Sequence, residues 1–73
     1  MAKYRFAIVL VRDEDGMFIA SCPALEGCYS QGKTLDEAVR NIQDAIRANV
    51  QARLEAGESI PTGETLLWVE VEV

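Results

Sequence analysis

Three groupings in this chain have residue types that invite chemistry: the acidic run Asp13-Glu14-Asp15, the alternating acids Glu70 and Glu72, and the thiols Cys22 and Cys28. Convergent carboxylates hold magnesium and support metal-assisted hydrolysis. Three consecutive carboxylates, however, diverge along an extended chain, and a run followed by Gly16 reads as the solvated tip of a hairpin. Glu70 and Glu72 share one face of a strand, but the first two strands carry no interior carboxylate to complete a two-metal site. The thiols have no activating base, because the sequence contains no histidine. Two thiols also fall short of a structural zinc site. Both read as small buried hydrophobes in the reduced form. Gly27 and Gly32 match neither glycine-rich phosphate-binding pattern, and Asp36 and Glu37 already complement the positive helix end that follows Lys33. The expectation is no catalytic residue, no cofactor and no metal.

What remains is surface. Asp13, Glu14, Asp15, Tyr29 and Trp68 are the candidate partner-binding residues. The acids qualify by charge and exposure, the aromatics because Tyr and Trp concentrate at interface hot spots. Seven basic and twelve acidic residues give a formal net charge of −5. That balance opposes nucleic-acid phosphates and steers the protein toward basic partners. No apolar run approaches the roughly 20 residues of a membrane span. The N-terminal apolar stretch breaks at Arg12 and lacks a small-residue cleavage site, so a cytoplasmic protein is expected.

The elements that position these groups follow from periodicity. Lys3 to Arg12 alternates as a strand, with Tyr4, Phe6, Ile8 and Leu10 on one face and Ala7, Val9 and Val11 on the other. Both faces are apolar, which predicts a central strand or one buried at an interface. Asp13 to Gly16 turns the chain, and Met17 to Cys22 returns as the second strand of a hairpin. Pro23 ends that strand, and Cys28 to Gln31 is a short third one.

Thr34-Leu35-Asp36-Glu37 is a capping box. Behind it, Leu35, Ala38, Val39, Ile42, Ala45, Ile46, Val50 and Leu54 form the apolar stripe of one long helix, with Arg40 and Asp44 as a surface pair and Gly57 as the C-cap. Thr65 to Val73 reads as the last strand, with Leu67, Val69, Val71 and Val73 facing one way and Leu66, Trp68, Glu70 and Glu72 the other. The order is β-β-β-α-β: an α+β fold with a small, antiparallel-rich sheet and one long helix packed on one face. Residues 1–73 make a single domain. Such a short chain buries a small core, and one helix leaves the second sheet face uncovered. A homo-oligomer, dimer or tetramer, is therefore expected.

Pro23, Leu25, Gly27, Cys28, Gly32, Thr34, Glu37 and Ala38, followed by Ile60-Pro61 before the last strand, resemble the N-terminal domain of HicB-type antitoxins. The resemblance spans essentially the whole chain. It implies a truncated ribonuclease-H-like fold without catalytic carboxylates. It also implies a non-enzymatic role in a type II toxin–antitoxin system, in which the antitoxin covers a small basic HicA-type toxin that cleaves mRNA. Ala24 stands where the family usually has an acid and Glu26 where it has a second proline. The chain ends at Val73 without the helix-turn-helix or ribbon-helix-helix segment of many relatives, so no direct DNA binding is expected. The residues themselves leave a second reading open: an orphan oligomeric regulatory or small-ligand-binding module, with a groove near the Gly27 to Thr34 loop.

Overall fold

The computed structural model describes residues 4–61. Three strands, β1 (Val9–Arg12), β2 (Phe18–Ser21) and β3 (Tyr29–Gly32), precede one helix, α1 (Leu35–Glu55). The sheet is antiparallel in the order β1-β2-β3. The expected last strand, with Trp68, Glu70 and Glu72, lies outside the described residues. Among the described residues β1 has one neighbouring strand, β2.

All three strands are short. Val9 pairs with Ser21, and two steps further the β2 chain meets Pro23, which has no N–H to donate. Residues 4–8 consequently run alongside the core without a ladder partner on β2. At the other end, the acidic turn is built by one side chain. The Asp13 carboxylate accepts from the N–H groups of Asp15 and Met17, each at 2.9 Å, while the Asp13 N–H donates to the Met17 carbonyl at 2.8 Å. Gly16 supplies the positive φ of 83° that closes the turn.

Two consecutive turns join β2 to β3. The Leu25 N–H donates to the Cys22 carbonyl and the Cys28 N–H to the Leu25 carbonyl, at 3.0 and 3.1 Å. This double turn drives Leu25 inward, where it is buried with Ala20, Cys22, Cys28, Ile42 and Val50. Phe6, Ile8, Ala45, Ile46 and Ile60 pack around that cluster.

Helix α1 begins where the capping box places it: Thr34 is the N-cap, and its hydroxyl accepts from the Glu37 N–H at 3.1 Å. Ala56, not Gly57, is the C-cap. Gly57 follows it at φ 73°, donating to the Leu54 carbonyl while the Glu58 N–H reaches Arg53, a Schellman closure. Asp44 bonds Arg47 at 2.7 Å and not Arg40. Acid before base is the favoured order along a helix, and Arg40–Asp44 has the reverse. Of the apolar stripe, Ala38, Ile42 and Val50 are buried, whereas Leu35 and Leu54 at its ends are exposed. The helix packs on β3 and β2 and does not reach β1. The Asn41 amide donates to the Gln31 carbonyl at 2.8 Å, which ties α1 to the third strand.

Candidate interaction surface

Strand alternation divides the sheet into two faces. Pairing sets Val9 against Ser21 and Ser21 against Tyr29, and likewise aligns Val11, Ile19 and Gln31. These side chains point away from α1. None is charged, and the apolar ones are open to solvent, with Val11 55% and Tyr29 69% exposed. They form one contiguous apolar patch on the described strands. The sequence expectation of an uncovered second face thus holds for the described strands, and Val9, Val11 and Ile19 join Tyr29 as surface-forming residues. Their signal was the double-sided apolar pattern of the first strand.

Among the described residues a second open region lies beside residues 4–8, the segment that leads into β1. Because α1 sits over β2 and β3, a groove of about 720 Å³ runs between residues 4–8 and the helix. Tyr4, Phe6 and Ile8 form one wall, Val39, Ile46 and Leu54 the other, and Gln43, Arg47 and Gln51 contribute polar groups to the lining. The Tyr4 and Phe6 rings stack with centroids 6.4 Å apart.

The acidic turn is a third feature, and its members differ. Glu14 and Asp15 are exposed. Asp13 is half-buried and its carboxylate is engaged by its own turn. Next to it the Arg12 guanidinium lies 5.4 Å from the centre of the Phe18 ring, a cation–π contact. The turn joins the Arg12–Phe18 end of the sheet, whereas Tyr29 pairs with Ser21 at the other end. At ~3.4 Å per residue the four-residue strands hold them about 10 Å apart. The fold therefore does not bring the acids and Tyr29 into one cluster, and Trp68 lies outside the described residues.

Reactive groups are quiet. Among the described residues no three His, Cys, Asp or Glu side chains converge as metal ligands. Burial, and secondarily the neighbouring Cys22 sulfur, push the Cys28 thiol above its ordinary pKa, which keeps it protonated and weakly nucleophilic. No helix among the described residues is long and apolar enough to cross a membrane.

Known proteins are similar to this chain in sequence and, in one case, in structure. A UPF0150 protein of Thermoplasma acidophilum is 42% identical over 57 residues, covering 78% of this chain and 83% of its own. A UPF0150 protein of Archaeoglobus fulgidus is 41% identical over 69 residues, 94% of each chain. The crystal structure of the N-terminal domain of the Burkholderia pseudomallei antitoxin HicB is similar at a TM-score of 0.69 and 31% identity, over 75% of this chain and 65% of that one. The family model described as HicB-like antitoxin of bacterial toxin–antitoxin systems matches residues 6–71. With nearly its full length matched and its strands and helix in the same arrangement, the chain belongs to the HicB-like antitoxin family.

Proposed function

We propose that this protein is an antitoxin that acts by binding and not by catalysis: it self-associates and masks a small basic HicA-type toxin, covering the surface with which that toxin cleaves mRNA. The observation that carries the reading is the uncharged, solvent-open sheet face of Val9, Val11, Ile19 and Tyr29, on a molecule whose net charge is −5. An apolar face drives association, and the surrounding negative field speeds encounter with a basic partner and selects its register. In this reading Val9, Val11 and Ile19 join two copies, and Glu14, Asp15, Trp68 and, from the margin of the open face, Tyr29 contact the toxin, with Asp13 shaping the turn that presents the two acids. The site of action is the cytoplasm, where the toxin's mRNA substrate is found.

Titration of the purified protein with the product of the neighbouring reading frame tests this, read by calorimetry and by RNA cleavage. The expected result is a stable complex in which cleavage stops. A neighbouring basic RNA-cleaving protein that stays active and unbound at saturating concentration would sink the proposal.

The groove between residues 4–8 and α1 favours a second reading, an orphan oligomeric module that binds a small apolar ligand. That groove lies along α1 and not beside the Gly27 to Thr34 loop to which the sequence points. Native mass spectrometry separates the readings: a co-purifying small molecule supports the second, whereas complex formation with the basic protein supports the first.

A further inference from the structure

Cys22 and Cys28 bracket the double turn between β2 and β3, and they stand opposite each other one step beyond the last ladder pair, Ser21 with Tyr29. The Cys22 N–H donates to the Cys28 carbonyl at 2.9 Å. The Cys28 N–H goes to Leu25 and not back to Cys22, so the two make one of the two bonds of a hydrogen-bonded antiparallel pair, whose Cα atoms lie about 5.5 Å apart. That separation falls inside the ~4.4–6.8 Å range that a disulfide spans. Directly opposed residues also project to the same face, here the helix side. Both cysteines belong to the core cluster, at 2% and 5% exposure, and both are free thiols. The pKa displacement of Cys28 by its neighbour agrees that the two sulfurs are close.

We propose that Cys22 and Cys28 are a modification site, a reversible cross-strand disulfide formed by exchange with a small-molecule disulfide of the glutathione class. The step balances. One protein thiolate, a minor species in so buried a pair and hence slow to react, attacks a sulfur of the reagent, breaking its S–S bond and releasing one small thiol. The second protein thiolate then attacks the mixed disulfide, forms the Cys22–Cys28 bond and releases the second small thiol. Two protein thiols are oxidised, one reagent disulfide is reduced to two thiols, and the two protons from the cysteines end on those leaving thiols. The turn that carries them is open to solvent: Pro23, Ala24, Glu26 and Gly27 are all exposed. The bond would lock the loop immediately before Tyr29 and so stiffen one end of the open face. The proposal is independent of the antitoxin reading.

The full chain supplies its own test. No Lys or Arg lies between Arg12 and Lys33, so trypsin leaves both cysteines on one peptide, Asp13 to Lys33. The protein is equilibrated with graded ratios of reduced and oxidised glutathione, alkylated, digested and weighed. The expected peptide is lighter by two hydrogen atoms and carries no alkyl group, while the chain stays free of intermolecular cross-links. Closing so short a loop raises Tm by about 10 °C, and dithiothreitol reverses the rise. Cys28→Ser abolishes both signals. If that variant fails to fold, peptide mapping of the unaltered chain still decides. Glutathione adducts on single thiols, cross-linked dimers, thiols that remain alkylatable after unfolding at every ratio, or bond formation with a fall in Tm would each overturn the proposal.

Discussion

A Cβ atom built on Gly32 would lie 2.4 Å from the backbone nitrogen of Ala38 and 2.9 Å from its Cα. The last residue of β3 therefore touches the backbone of the first turn of α1, with no space for a methyl group between them. Gly32 does not have a positive φ, so the requirement is steric and not conformational. Ala38, fully buried, is the matching small residue on the helix.

Gly32→Ala must push strand and helix apart. The expected loss is about 2–3 kcal/mol, seen as a Tm lower by roughly 10 °C or more in thermal melts. Gly27→Ala is the contrast: nothing lies within 4 Å of its added Cβ, and only the φ of 74° resists. Its cost is about 1 kcal/mol. Equal losses at the two positions would refute the close-approach account.

Asp13 differs from the acids beside it. Asp13→Ala removes an acceptor for two N–H groups and is expected to cost about 1–2 kcal/mol in urea unfolding. Asp13→Asn keeps an acceptor oxygen and loses less. Glu14→Ala should fall within about 0.5 kcal/mol of the parent. If Asp13→Ala proves as mild as Glu14→Ala, the carboxylate is not what holds the turn.

The open face gives a prediction about assembly. Ile19→Glu or Val11→Lys places a charge in the centre of the proposed interface. Sedimentation equilibrium is expected to show self-association weakened at least tenfold, roughly 1.4 kcal/mol or more. Monomer stability should change little, because both side chains already face solvent. A unimpaired oligomer carrying either charge would locate the contact elsewhere.

The Cys28 thiol predicts a pH dependence under reducing conditions. Its folded-state pKa is raised by burial and then by Cys22, so folding favours the protonated form. The associated stability is complete below the unfolded thiol pKa, about 8.5, and is lost as pH rises through the folded value. Unfolding free energy from urea titrations should decline on the alkaline side of that threshold. Other alkaline groups titrate there too, so the diagnostic is the difference between the parent and Cys28→Ala, which should shrink as pH rises.

Local chemistry made much of this fold legible. Thr34 marks the helix start, Gly57 its end, and Gly16 the hairpin turn, because each satisfies a backbone requirement that few residues meet. Alternation correctly separates Phe6 and Ile8, which pack on the core, from Val9 and Val11, which face water. Lateral placement was not legible. Periodicity says which side of α1 is apolar, not over which strands it will lie, so the groove beside residues 4–8 had no sequence signature. A run of three acids conceals that only Asp13 turns inward, because this depends on two hydrogen bonds and not on composition. The facing of Cys22 and Cys28 likewise arises from a register that the double turn around Leu25 imposes.

The offset seat of α1 divides the described chain into two tiers of persistence. Residues 18–55, running through β2, β3 and α1, are continuous in sequence and pack on one another. Contacts of such short reach assemble early and open last. Of the described elements, β1 touches only β2. Amide deuteration should therefore sweep inward from the first strand, leaving the seam between Gly32 and the helix as the last place to exchange.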